Sequence, residues 1–172
     1  MDMDSEVSVQ EADFDVGAEI AALSADRRDI GAVASFVGLV RDANDGSGVY
    51  AMTLEHYPGM TERALADIVV QARARWPLLG VRVIHRHGRL EPGDRIVFVG
   101  VASANRGAAF AACEFIMDYL KTQAPFWKRE ETPTGARWVD ARAADDAAAA
   151  RWSGAGPAAE DESNWEDIEQ RR

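Results

Sequence analysis

Apolar runs of strand length recur along this chain, mostly in pairs, and stretches of helical periodicity separate one pair from the next. The run Ile96-Val-Phe-Val-Gly-Val-Ala102 is the strongest of them and predicts a strongly apolar strand. Residues 30–40 form a second apolar run, and 49–56 a third that would pair with it as a hairpin. The connecting segment 41–48 is polar and glycine-rich, which predicts a mobile loop. Residues 7–10 alternate weakly and predict an edge strand, and 15–24 predict a short helix marked by Ile20 and Leu23. Thr61 is expected to cap a helix whose buried stripe is Leu65, Ile68, Val69 and Ala72, and Trp76-Pro77 ends it. A strand over 80–87 and a Glu91-Pro-Gly-Asp94 turn precede the 95–102 strand. Asn105 or Ser103 is expected to cap a third helix that runs to about Thr122, before Pro125. Strands over 127–131 and 136–139 meet at a Thr132-Pro-Thr-Gly135 turn, and a last helix covers 143–152. The order β-α-β-β-α-β-β-α-β-β-α predicts an α+β domain, with a mixed or antiparallel sheet covered by helices.

With 172 residues, 47% of them hydrophobic, the chain can bury one core. Residues 1–152 are expected to form a single α+β domain that includes the acidic segment 1–29. From Ser153 the composition turns to small residues and acids, which predicts a disordered tail over 153–172. The net charge of −10 divides into −7 over 1–29, +1 over 30–152 and −4 over 153–172. The middle therefore offers no basic stripe to a nucleic-acid backbone. No apolar run approaches the roughly 18 residues of a membrane-spanning helix. The first fifteen residues carry six acids and no base, unlike a secretory signal. Cys113 is the single cysteine, so neither an intrachain disulfide nor a Cys-rich zinc site can form. These features read as a cytoplasmic protein.

Few residues carry distinctive chemistry. Gly46-Ser-Gly48 lacks the Gly-Lys-Ser/Thr of a phosphate loop. His85 and His87 lie two apart in a strand and could form a zinc site with His56, but such pairs are more often surface or hydrogen-bonded residues. Neither a metal nor a cofactor is predicted. Cys113 lies among Phe110, Ile116, Met117 and Leu120, the setting of a core thiol. The basic residues are more telling: of nineteen, seventeen are arginine, and the two lysines, Lys121 and Lys128, fall seven positions apart. A desolvated ammonium can lose its proton near neutral pH, whereas a guanidinium does not. Between Lys121 and Arg129 there are three positive charges, no acid, and the pair Phe126-Trp127. Such a window suits a planar, anionic substrate, with phosphate on the cations and rings on the aromatics.

Phe36-Val-Gly-Leu-Val-Arg41, Leu54-Glu-His-Tyr-Pro-Gly-Met60, Pro92-Gly-Asp94 with Val97-Phe-Val-Gly-Val101, and Phe115-Ile-Met-Asp-Tyr-Leu-Lys121 running on to Ala124-Pro-Phe-Trp-Lys-Arg-Glu130 occur in that order. In these stretches the chain resembles the large, catalytic subunit of molybdopterin synthase, over about residues 30–152. The resemblance implies an α/β hammerhead-type domain with an additional antiparallel β subdomain. It also implies a sulfurtransferase of molybdenum cofactor biosynthesis that converts cyclic pyranopterin monophosphate into the dithiolene-bearing molybdopterin. Sulfur would come from the C-terminal glycine thiocarboxylate of a small ubiquitin-like subunit, within a heterotetramer built on a central homodimer. By resemblance Lys121 is the catalytic lysine and Lys128 its second cation. Arg41, Asn105 and Arg106 would hold substrate, with Leu39, Val40, Arg129 and Glu130 lining the site.

One position departs from the family pattern. Asn105 stands where the family commonly has histidine, and asparagine hydrogen-bonds but shuttles no proton. Spacing adds a constraint of its own. Arg106 and Lys121 stand at opposite ends of one predicted helix, about 22 Å apart at 1.5 Å per residue. If both serve one small substrate, the pocket must be shared between two copies of the chain. The competing expectation is a non-catalytic module that docks a ubiquitin-like tail or binds a pterin phosphate, and turnover discriminates the two.

Overall fold

Residue 99 lies at the centre of the strand around which the rest assembles. The computed structural model describes residues 6–140 and 142–154, so the tail expected from 153 onward lies, but for its first two residues, outside the described residues. In chain order the elements begin β1 (Val7–Gln10), α1 (Val16–Ser24), β2 (Ala32–Leu39), β3 (Ala43–Asn44), β4 (Ser47–Gly48), β5 (Ala51–His56) and α2 (Met60–Arg75). They continue with β6 (Leu78–Arg86), β7 (Gly88–Leu90), β8 (Arg95–Ser103), α3 (Arg106–Gln123), β9 (Phe126–Thr132), β10 (Gly135–Val139) and α4 (Ala143–Ala150). One four-stranded sheet has the order β1-β6-β8-β2, with β1 parallel to β6 at the edge and the other pairs antiparallel. A second, antiparallel sheet has the order β10-β9-β5-β7. The architecture is α+β, as the element order predicts, and its separate antiparallel sheet matches the added subdomain that the resemblance implies.

Side chains alternate along β8, which explains why its sequence is continuously apolar. Val97, Val99 and Val101 pack under α2 and α3, against Leu65, Ile68, Phe115 and Ile116. On the opposite face Phe98 and Ala102 meet α1 through Leu23, beside Phe14 and Ile84. Gly100 lies in this second layer because nothing larger fits: a Cβ there would stand 2.5 Å from Leu23 Cδ1 and 2.8 Å from the Phe98 ring. A third, smaller cluster of Val40, Met52, Leu54 and Leu90 joins the two sheets.

Three expectations are corrected. The runs 30–40 and 49–56 do not pair as a hairpin: β2 pairs with β8, and β5 lies between β7 and β9 in the other sheet. Each strand finds its neighbour by burial rather than by proximity in sequence, since β8 needs an apolar partner on both edges. The segment 41–48 is not a featureless loop. Asp45 (φ 51°) and Gly46 (φ 78°) form a left-handed two-residue turn between β3 and β4, the geometry that Asp-Gly favours. Thr61 does not cap α2. Gly59 is the N-cap residue, the Glu62 carboxylate accepts from the Gly59 N–H at 2.6 Å, and the buried Thr61 hydroxyl donates to the Pro125 carbonyl at 3.1 Å. Asn105, by contrast, caps α3 as expected, its Oδ1 accepting from the Ala108 N–H at 2.9 Å.

Candidate active site

A cavity of about 600 Å³ opens between the two sheets, walled by the end of β2, the β3–β4 hairpin, β5, the last turn of α3, β9 and the first turn of α4. α3 ends at Ala124, whose N–H closes on the Leu120 carbonyl at 3.4 Å, and Lys121 in its last turn faces the cavity. The chain then reverses through Pro125 into β9. Alternation along β9 turns Lys128 and Glu130 toward the cavity and leaves Trp127 and Arg129 exposed on the other side. Strand pairing fixes what lies beside them: Lys128 is opposite Leu54, and Glu130 is opposite Met52 on one side and Arg137 on the other.

Six of the residues expected at the site therefore come together: Leu39, Val40, Arg41, Lys121, Lys128 and Glu130. Three lie outside the cavity. Arg129 is on the opposite face of the sheet, its guanidinium 6.0 Å from the ring centre of Trp138, its cross-strand partner. Asn105 and Arg106 stand exposed at the far end of α3, about 22 Å from Lys121 along the helix axis.

The charges balance in an organised way. Glu130 is only 2% exposed. Arg137 donates to its Oε2 through Nη2 at 3.1 Å and Nε at 3.3 Å, Asn44 donates to Oε1 at 2.8 Å, and the Lys128 ammonium lies 3.5 Å away. Burial would raise its pKa, but Arg137, Asn44 and Lys128 together outweigh it and hold the carboxyl below its ordinary value. The Lys121 pKa is also lowered, which for an amine disfavours the charged form. Crowding by protein around its ammonium lowers the pKa, Asp145 opposes this, and Lys128, Arg142 and Arg41 add to it. The two lysines thus differ in role: Lys128 is ion-paired to a carboxylate, and Lys121 is the cation eased toward its neutral form.

His85 forms part of the cavity wall, 5% exposed, with its ring stacked on Phe126 at 3.7 Å between centres. Burial brings its pKa down to about 4, opposed by its hydrogen bond to the Arg86 carbonyl. A carbonyl only accepts, so Nδ1 carries the proton of a neutral ring. His56 and His87 lie ring against ring, tilted by 36° with centres 4.2 Å apart, instead of converging with His85 on a metal. Among the described residues no group of three or more His, Cys, Asp or Glu could hold a metal ion. Cys113 is buried in the core, where burial pushes its thiol up to about 11, and it takes no part in the site.

Of the polar cavity residues, the sequence did not mark Asn44, Asp140, Arg142 or Asp145, and marked His85 only as a metal ligand. The one available signal was Asp45-Gly46, whose tight turn forces the preceding Asn44 inward rather than leaving it in a loose loop. The assembled site can hold an anion against several cations on an apolar floor of Met52, Leu54 and Phe126, and can exchange a proton through Lys121.

Comparison with known proteins bears on this geometry. The family model described as "MoaE protein" matches residues 9–123. The "Molybdopterin synthase catalytic subunit" of Ralstonia nicotianae is 69% identical over 146 residues, covering 85% of this chain and 83% of that protein. The protein of the same description from Escherichia coli strain K12 is 64% identical over 139 residues, covering 81% of this chain and 92% of its own length. Among solved structures, the "Molybdopterin biosynthesis MoaE protein" of Burkholderia ambifaria superposes with a TM-score of 0.73 at 57% identity, over 86% of this chain and 98% of that one. "Molybdopterin Synthase" from Staphylococcus aureus superposes with a TM-score of 0.71 at 27% identity, over 81% and 98% of the two chains.

Proposed function

The chain belongs to the MoaE protein family, and from that premise we propose that it is the catalytic subunit of a molybdopterin synthase, with the cavity between its two sheets as the active site. The observation that carries the site assignment is the meeting of both lysines of the chain, Lys121 and Lys128, on one cavity that Arg41 also reaches. The substrate is cyclic pyranopterin monophosphate, and the sulfur donor is the C-terminal glycine thiocarboxylate of a small ubiquitin-like subunit. Arg41 and Lys128 hold the phosphate and neutralise the charge that develops as the cyclic ester opens. Lys121, whose burial and cationic neighbours favour its neutral form, acts as acid and base. The thiocarboxylate sulfur bonds a side-chain carbon as the C–O bond there breaks and its oxygen takes up a proton. Water then cleaves the acyl–sulfur bond, leaving the sulfur on the pterin and returning the small subunit as its carboxylate. Two sulfurs complete the dithiolene, so two partner molecules are consumed per product. Arg106 and Asn105, too distant in one chain, reach the substrate from a second copy across a homodimer, and one small subunit at each end completes a heterotetramer. Glu130 holds Lys128 in place through their 3.5 Å ion pair. Arg129, on the outer face of the sheet, supports the strand through Trp138 rather than touching substrate directly.

The test supplies thiocarboxylated small subunit and cyclic pyranopterin monophosphate and quantifies the dithiolene product. Wild type forms product, and Lys121→Ala and Lys121→Arg both lose at least about a hundredfold in rate, the usual scale of one acid–base group. A Lys121→Arg protein with wild-type turnover would remove the proton-transfer role. Absence of product with wild type, despite partner binding, would leave a docking module.

A further inference from the structure

The Asn44 side chain bonds three charged side chains of the cavity, although it belongs to a two-residue strand on a hairpin. It is 5% exposed. Its Nδ2 donates to Glu130 Oε1 at 2.8 Å. Its Oδ1 accepts from Arg142 Nη2 and, at 3.4 Å, from Arg41 Nη2. Its backbone carbonyl accepts from Arg137 Nη2 at 3.2 Å. The orientation of the amide is dictated by chemistry: a carboxylate can only accept and a guanidinium can only donate, so the NH₂ must face Glu130 and the oxygen the arginines. A carboxylate at this position would repel Glu130, and an apolar side chain would leave Glu130 short of a buried donor.

We infer that Asn44 is the positioning residue of this active site: one amide joins Arg41, Arg142 and Glu130, and so sets the spacing between the cations that face substrate phosphate and the carboxylate that holds Lys128. The hairpin is what makes this possible. Its left-handed Asp45-Gly46 turn brings the chain back within six residues, and the Val49 N–H closes it on the Asp42 carbonyl at 2.8 Å. Asn44 is thereby carried inward while Arg41, three residues earlier, stays at the cavity rim. Asn44 touches no reacting atom in this scheme; it acts through the residues that do. The inference deepens the function proposed above and rests on it for its kinetic part.

Glu130 reports the network through its protonation. The charged groups that share the cavity or pair with it are Lys128 on its own strand, Arg137 on β10, Arg41 on the loop after β2, Lys121 on α3, Arg142 with Asp140 on the segment that leads into α4, and Asp145 in the first turn of α4. Asn44→Asp keeps the volume and the acceptor for the arginines but sets a second carboxylate against Glu130, which then binds its proton at higher pH.

Two measurements test this. In the sulfur-transfer assay across pH, Asn44→Asp is expected to move the acid limb of kcat upward, lower kcat at neutral pH about tenfold, and raise KM for the pterin severalfold. Asn44→Gln, which keeps amide chemistry, recovers part of kcat and the wild-type limb. Independently of turnover, the Glu130 carboxyl is titrated by 13C NMR in wild type and Asn44→Asp, with Glu130→Gln identifying the resonance; the variant titrates at higher pH. An unchanged Glu130 titration overturns the inference. So does an activity loss in Asn44→Asp that leaves the pH limb and KM in place and follows only the folded fraction. If wild type itself makes no product, the proposed function fails, and the NMR titration alone decides whether Asn44 governs Glu130.

Discussion

His85 offers a quantitative test of how the cavity is built, because its burial couples folding to pH with a definite sign. In the unfolded chain its imidazole binds a proton near 6.5, and in the folded protein only near about 4. A base whose pKa is depressed by folding stabilises the native state fully above the unfolded value, and that stability is lost as pH falls toward the folded one. Each pH unit descended in this window costs about 1.4 kcal/mol, so the whole window is worth about 3 kcal/mol. The informative perturbation is His85→Phe, which can keep the stack on Phe126 (3.7 Å between centres, rings inclined by 20°) but cannot donate to the Arg86 carbonyl at 2.8 Å. At pH 7 the variant is expected to be less stable by about 1 kcal/mol, the net worth of one hydrogen bond. At pH 4.5 wild type has lost most of the 3 kcal/mol, and the variant has lost none through this residue. The order of stabilities should therefore reverse, with the variant ahead by about 1–2 kcal/mol. Urea unfolding of both proteins at pH 7, 6, 5 and 4.5 measures the difference directly, and other titrating groups cancel in it. His85→Leu should shift with pH in the same direction, which separates the effect from the fit of a phenyl ring. A stability difference that stays constant across the four pH values would refute the claim that His85 is folded in as a neutral ring.

Four further outcomes are expected. Arg137→Ala withdraws two hydrogen bonds from the buried Glu130; because the guanidinium is itself partly exposed, the loss should be about 2 kcal/mol at pH 7. That deficit should shrink as pH falls through the depressed folded-state pKa of Glu130, where wild type also loses the interaction, and thermal melts at pH 7 and pH 4 would reveal it. Gly100→Val forces a side chain against Leu23 and Phe98 and should destabilise by about 1–3 kcal/mol or more, read as a lower urea midpoint with little change in slope. Asn105→Ala removes the α3 cap and should cost about 1 kcal/mol, whereas Asn105→Ser should retain most of it; equal melting temperatures for the two would contradict the capping role. Trp152 joins α4 to the core through ring contacts with Trp76 and Phe115 and an Nε1 hydrogen bond to Asp118 at 2.7 Å, so Trp152→Ala should cost about 2–3 kcal/mol by chemical denaturation and weaken the placement of Arg142 and Asp145 at the cavity.

How much of this was legible in the residues can be judged element by element. Helical periodicity located α2 and α3, because Leu65, Ile68, Val69 and Ala72 meet one neighbour on one face wherever that neighbour comes from. The Asn105 cap was readable for the same reason, its hydrogen bond closing within three residues. The apolar run of β8 announced a strand, and Lys121 and Lys128 stood out chemically before their surroundings were known. The Thr61 expectation failed where two local caps competed. Gly59, with Glu62 reaching back to it, starts the helix two residues earlier and frees Thr61 to bond Pro125, sixty-four residues away.

By itself the sequence determined the kind, order and approximate extent of the elements, the α+β class, and the residue types able to do proton and anion chemistry, since all of these depend on covalent chemistry and on contacts a few residues apart. Tertiary structure alone decided that β2 leaves β5 for β8, that Lys128 and Glu130 rather than Arg129 face the cavity, and that Asn44 of a small hairpin reaches Glu130 eighty-six residues away. Pairing and register between distant strands are chosen by the burial energy of the whole core, and no window of sequence contains that sum.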